Sequence, residues 1–139
     1  MLFRSGETLG VVADQVGCPT ATHTLAQACW RAIGVGADPD GPRMLHWSDA
    51  GAASWYDFAV AIGELGVATG LLRHSAAVLP LTTADYPTPA KRPPYSLLDC
   101  GETRRSLTLQ PIHWRHALLE VLQGIPQPSI NAHPSQATA

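Results

Sequence analysis

Leu9-Gly10-Val11-Val12-Ala13-Asp14-Gln15-Val16-Gly17-Cys18-Pro19-Thr20 is the stretch from which the fold of this chain is read. Val11 and Val12 are β-branched and suit a pleated strand, whereas Gly17 and Pro19 interrupt one. The run predicts a strand that stops abruptly and delivers Asp14, Gln15 and Thr20 to one place. Strand, polar loop and helix, in that order, is how α/β proteins present binding groups at the carboxyl ends of strands. On spacing alone an ordinary strand-turn-helix connection is the favoured reading.

Downstream, Leu25, Ala26, Cys29, Ala32 and Ile33 recur at helical spacing and predict a helix with one apolar face, Thr22 and Thr24 as caps and Gly34 as its stop. Trp30 points elsewhere and reads as a partly covered surface aromatic, with a partner contact as the alternative. Gly34 to Pro42 is a loop, and Arg43 to Ser48 reads as a short strand. Ser54 with Asp57 three residues on is a capping-box pattern. Trp55, Phe58, Ala59, Ile62 and Leu65 then make an apolar stripe, a core face first and a ligand surface second.

Ala76 to Leu81 is a further strand, followed by a passage with prolines at 87, 89, 93 and 94. Prolines lose little chain entropy on ordering, so this passage predicts a rigid loop that holds Lys91 and Arg92 in place. Tyr95 to Asp99 reads as a strand paired with the opening strand in a small sheet. Glu102 to Leu107 supplies one or two helical turns before a break at Pro111. His113-Trp114-Arg115 opens a last helix on which Trp114, Leu118, Val121 and Leu122 share a face, ending at Gly124. From Pro126 onward there is little to bury, and residues 126–139 are expected to be a disordered tail. The sum is an α/β chain with a small sheet and about four helices over residues 1–125.

A chain of 139 residues is one domain's worth, enough to bury roughly two-thirds of its unfolded surface. A formal charge of −2, with 14% charged residues and scattered histidines, gives no basic stripe for nucleic acid. Although 45% of the residues are apolar, no run approaches the ~18 needed to span a membrane. The first seven residues include Glu7 and lack the apolar core of a signal peptide. Cys18, Cys29 and Cys100 show no C-x-x-C spacing and suit reduced thiols, which fits a cytoplasmic chain. His23 and Cys29 lie six apart without a second ligand pair, which argues against zinc.

The wording of three stretches adds a resemblance. Val-Val-x-Asp-Gln-x-Gly-x-Pro-Thr at 11–20, His46-Trp47-Ser48-Asp49-Ala50-Gly51 leading into Ser54-Trp55-Tyr56-Asp57-Phe58-Ala59, and Thr82-Thr83-Ala84-Asp85-Tyr86-Pro87-Thr88-Pro89-Ala90-Lys91-Arg92-Pro93 running on to Ser96-Leu97-Leu98-Asp99 stand in that order. Together they resemble the dTDP-4-dehydrorhamnose reductase family of extended short-chain dehydrogenase/reductases, over roughly residues 9–122 and its C-terminal, substrate-binding portion only. The resemblance implies an incomplete Rossmann-type fold, in which Arg43 to Ser48 would lack its usual sheet neighbours. It also implies that Leu2-Phe3-Arg4 is the last turn of a helix begun upstream, with Met1 an internal or alternative start.

The reductase chemistry of that family needs groups this sequence lacks. A tyrosine and a lysine one helical turn apart let the ammonium lower the phenol pKa and the phenol protonate the oxygen of a carbonyl receiving hydride. Tyr56 is followed four residues on by Val60 and Tyr95 by Asp99, while Pro87 and Pro89 separate Tyr86 from Lys91. The run Gly63 to Gly70 imitates a dinucleotide fingerprint but follows a helical pattern, so Gly66 and Gly70 read as helix-ending glycines. No catalytic, cofactor-binding or metal residue is therefore assigned.

The resemblance implies NADPH in the complete enzyme, at a site outside this chain, and a dTDP-sugar as substrate. Magnesium is associated with some members, and no carboxylate cluster here identifies a site for it. Gln15 and Thr20 are the expected neutral hydrogen-bonding groups for the sugar nucleotide. Arg92 is the expected clamp on its diphosphate, because a guanidinium fork makes paired charge-assisted hydrogen bonds with phosphate. Read without the resemblance, Arg92 is a solvated surface arginine. Asp14 is expected to be structural, since a carboxylate facing a diphosphate is repelled. The expected partners are the nucleotide-binding half, in cis or in trans, or a second copy in a homodimer; the competing reading is a non-catalytic binding module or a truncated remnant.

Overall fold

The computed structural model describes residues 8–35 and 44–126. The expected helix end at Leu2–Arg4, most of the Gly34–Pro42 loop and all but the first residue of the 126–139 tail lie outside the described residues.

The opening strand forms as β1 (Leu9–Val12), and its partner is β4 (Val78–Leu81), inside the expected Ala76–Leu81 run. The two are parallel, with Leu9 opposite Val78 and Val12 opposite Leu81. Past a bend at Asp14 the chain makes β2 (Val16–Gly17), which pairs antiparallel with β3 (Ala53–Ser54). Four α-helices complete the fold: α1 (Thr22–Val35), α2 (Trp55–Ala68), α3 (Gly101–Leu107) and α4 (Trp114–Gln123). The mixed α/β class with a small parallel sheet is thus present, the strands being divided between two two-stranded sheets.

The α2 start follows its sequence. Ser54 Oγ accepts from the Asp57 backbone N–H at 3.1 Å, and Asp57 Oδ2 accepts from the Ser54 N–H at 2.9 Å. His113 caps α4 with a single bond, its Nδ1 accepting from the Arg115 N–H at 3.3 Å. Between α2 and α4 lies the main core, built on Ala53, Ala61, Trp114, Leu118 and Leu122, with Phe58 set edge-on to Trp114 at 6.1 Å between ring centroids. A second cluster of Ala28, Leu107 and Leu109 joins α1 to α3 and is covered in part by Leu45 and Trp47. Gly51, at φ +96°, turns the chain between Ala50 and β3; a Cβ there would sit 2.6 Å from His113 Nε2.

Several expectations are corrected. Met44 to Ser48 forms no strand: the His46 N–H goes to Thr103 Oγ1 at 2.9 Å, because no neighbouring strand among the described residues meets it. Tyr95 to Asp99 is not a strand beside β1; it contributes a single parallel bridge from Tyr95 to Val16. On α1 the buried face is Thr24 and Ala28, flanked by the partly covered Ala32 and Val35, while Leu25, Ala26, Cys29 and Ile33 face outward. Small residues permit the close approach of α1 to α3, so the bulkier apolar face is left over. Gly66 does not end α2 but lies buried within it, where a Cβ would meet Leu72 Cδ1 at 2.7 Å.

Val121, expected on the buried face of α4, is exposed, and Ala117 takes its place beside Leu118 and Leu122. Trp55 is likewise turned out of the α2 stripe. It occupies the first position of the helix, beyond the end of the α2–α4 packing that Phe58 and Trp114 fill.

Candidate functional site

The polar loop after β1 is tied to the start of the proline-rich passage by one threonine. Asp14 accepts from the Thr83 N–H at 2.9 Å and from the Thr83 hydroxyl at 2.7 Å. These bonds, the backbone one foremost, hold the Asp14 carboxyl below its ordinary pKa. Gln15 Nε2 donates to the same Thr83 Oγ1 at 3.1 Å. One step away, Asp85 accepts from the Thr82 hydroxyl at 2.7 Å and the Thr82 N–H at 3.0 Å, and these contacts lower its pKa as well. Asp14 is therefore a loop clasp, and Gln15 is oriented from the same point.

A second tie brings in the far end of the passage. The Val16 N–H donates to Pro94 O at 2.8 Å, and the Ser96 N–H returns to Val16 O at 2.9 Å. With its ends fastened at Thr83 and at Pro94–Ser96, the proline-rich loop carries Arg92 over the carboxyl end of β1. There Gln15, Gly17, Cys18, Trp55, Arg92 and Ser96 line a cavity of about 330 Å³. An adjoining cavity of about 500 Å³ is bounded by Val11, Val12, Gln15, Trp55, Tyr86 and Arg92. Gln15, Trp55 and Arg92 belong to both. Arg92 has no ion pair among the described residues, which leaves its guanidinium fork available to an anion.

Thr20 lies elsewhere. Its hydroxyl donates to Cys18 O at 3.1 Å and accepts from the Asp49 N–H at 3.4 Å, and the residue lines a separate apolar cavity of about 200 Å³ with Phe58, Trp114 and Leu118. The structure thus unites Gln15 with Arg92 and places Thr20 on the core side of the same turn. Behind that turn sits Asp49, 1% exposed, whose Oδ2 accepts from the Ala21 N–H at 3.0 Å just ahead of α1. Cys18 Sγ donates to Asp49 O at 3.0 Å, and burial pushes this thiol above its ordinary pKa. Sequence reasoning did not single out Asp49; an acid between Ser48 and Ala50, among residues that pack, was the available signal. Trp55 stands in the stripe read as a core face first and a ligand surface second.

Neither a metal nor a nicotinamide is given a place by these residues. Among the described residues no group of three or more His, Cys, Asp or Glu is arranged to hold a metal ion. Gly63 to Ala68 is helix, so the glycine-rich run offers no strand-to-helix phosphate cradle. Among the described residues no helix is long and apolar enough to cross a membrane.

Comparison with known proteins gives a consistent picture. The family model described as RmlD substrate binding domain matches residues 1–126. A dTDP-4-dehydrorhamnose reductase from Aggregatibacter actinomycetemcomitans is 38% identical over 123 residues, covering 86% of this chain and 42% of that protein. The spore coat polysaccharide biosynthesis protein SpsK of Bacillus subtilis is 39% identical, covering 88% of this chain and 39% of its own length. Among solved structures, a dTDP-4-dehydrorhamnose reductase from Bacillus anthracis in complex with NADP superimposes with a TM-score of 0.70 at 29% identity, over 82% of this chain and 37% of that one. A further such reductase, from Clostridium acetobutylicum, gives 0.68 at 36% identity, with the same coverage. The chain spans about two-fifths of the length of the curated relatives it matches.

Proposed function

This chain belongs to the RmlD substrate-binding domain family, and from that premise we propose that it is the sugar-nucleotide-binding portion of a dTDP-4-dehydrorhamnose reductase. In the complete enzyme NADPH supplies the hydride that reduces the 4-keto group of dTDP-4-dehydro-L-rhamnose to give dTDP-L-rhamnose. The part of this chain is to hold the sugar nucleotide: Arg92 clamps the diphosphate by paired charge-assisted hydrogen bonds, and Gln15 offers a neutral amide beside it. The observation that carries this reading is that Gln15 and Arg92, remote in sequence, line one cavity at the end of β1. Thr20 supports the turn from behind through Cys18 and Asp49.

By itself the chain is inactive in reduction, because it has neither the Tyr-x-x-x-Lys pair nor a glycine fingerprint placed after a strand. The activity calls for a nucleotide-binding half, in cis or in trans. Support for such a partner comes from the outward apolar face of α1, where Trp30 is 75% and Ile33 67% exposed, and from Met44, 73% exposed beside residues that meet no strand among the described residues. A homodimer through the same face is the competing way to cover it. The free thiols of Cys18, Cys29 and Cys100 fit a reducing, cytoplasmic setting.

Titration calorimetry of the purified chain with dTDP-glucose, and separately with NADPH, tests the proposal. The expected result is binding of the sugar nucleotide, weakened by Arg92→Ala, and no binding of NADPH. Sugar-nucleotide binding that is indifferent to Arg92→Ala would refute the assigned site. NADPH binding would refute the division of labour.

A further inference from the structure

We propose that Trp55 is the nucleobase platform of this site: the base of a nucleoside diphosphate sugar stacks on its indole while Arg92 holds the diphosphate. The inference rests on the sugar-nucleotide reading above and adds the group that recognises the base. Trp55 opens α2 directly after the capped Ser54, so its backbone is fixed by the reciprocal Ser54–Asp57 hydrogen bonds. Its side chain is nevertheless 56% exposed, although the α2 pattern would have placed it in the core. The core has no need of it, since Phe58 and Trp114 already fill the end of the α2–α4 packing.

What Trp55 does border is both cavities that Arg92 borders. The larger, of about 500 Å³, adds Tyr86, itself 58% exposed, and the apolar edge of β1 at Val11 and Val12. The smaller adds Gly17, Cys18 and Ser96. A cationic fork at the junction of the two suits a diphosphate, which joins a flat base on one side to a hydroxylated sugar on the other. The side with two exposed aromatic rings suits the base, because a π-face stacks on a π-face and the indole thereby recovers contacts that water does not provide. The side with Ser96 suits the sugar. Stacking accepts any base, so Trp55 contributes affinity and leaves the choice of base to other groups.

The test is binding of dTDP and of inorganic pyrophosphate to the wild-type chain, Trp55→Ala, Trp55→Phe and Arg92→Ala. Trp55→Ala is expected to weaken dTDP about ten- to a hundredfold, the usual range for removing one stacking partner. It is expected to leave pyrophosphate unchanged, and Trp55→Phe is expected to regain most of the dTDP affinity. Tryptophan emission should be quenched by dTDP in the wild type and not in Trp55→Phe, a readout that stands even if the alanine variant does not fold. Wild-type dTDP affinity in Trp55→Ala, or quenching retained in Trp55→Phe, would overturn the platform. Equal losses for dTDP and pyrophosphate would overturn it too, by showing that Trp55 shapes the loop. Loss of dTDP affinity in Arg92→Ala with none in Trp55→Ala removes the platform and keeps the sugar-nucleotide site. No dTDP binding by the wild-type chain removes both.

Discussion

The two sides of this chain are held together by different physics. Between α2 and α4 the contacts are apolar and the side chains buried, with Trp114 and Leu118 under a tenth exposed. Around the cavities of Gln15 and Arg92 nearly every residue from Thr82 to Ser96 is exposed, and shape comes from hydrogen bonds at Asp14, Thr82, Thr83, Asp85 and Val16. Apolar burial is strong and undirected, so it supplies stability. Charge-assisted hydrogen bonds at a wet surface add little net stability but fix direction, which is what a binding loop needs.

Substitutions on the two sides should therefore act differently. Trp114→Ala removes the largest side chain of the α2–α4 core together with its edge contact to Phe58, and should cost about 3–5 kcal/mol in urea unfolding. Gly51→Ala forces a side chain onto a backbone at φ +96° and against His113, and should cost about 1–3 kcal/mol in the same measurement. Arg92→Ala, on the polar side, should leave stability within about 0.5 kcal/mol while weakening dTDP-glucose binding. A large loss of stability there would mean that the site loop is part of the core after all.

On the polar side, acid should act weakly. Asp14 and Asp85 have carboxyl pKa values lowered from the ordinary 3.8 by hydrogen bonds to Thr83 and Thr82. A depressed folded-state value means that their contribution is full above the unfolded value and is lost as pH falls through the folded one. Stability should therefore slope downward below about pH 4, and Asp14→Asn should flatten part of that slope. Both groups are solvent-exposed, so the slope is shallow and salt-sensitive. Unfolding midpoints between pH 2 and 5, at low and high salt, measure it.

Elements whose cause is local were readable in advance. The Ser54–Asp57 box and the stripe of Trp114, Leu118 and Leu122 depend on near neighbours in sequence, and both are present, whereas the opening strand ends at Val12 and Gly17, expected to break it, is itself paired in β2. The misreadings share a non-local cause. Met44 to Ser48 has the composition of a strand, but a strand also needs a neighbour. α1 displays a bulky apolar face, yet Thr24 and Ala28 are what fit against α3. At the candidate site, motif wording pointed to Gln15 and Arg92, and the two line one cavity. The service of Asp49 to Ala21 and the outward turn of Trp55 were not legible, because each is set by a contact across the fold.

Amide shift mapping by NMR on addition of dTDP-glucose shows which side of the molecule responds to the sugar nucleotide. Perturbations are expected at Gln15, Gly17, Trp55, Tyr86, Arg92 and Ser96, with α4 from Leu118 to Gln123 unmoved. Perturbations centred on α4, or on the outer face of α1 around Trp30, would contradict the assigned site.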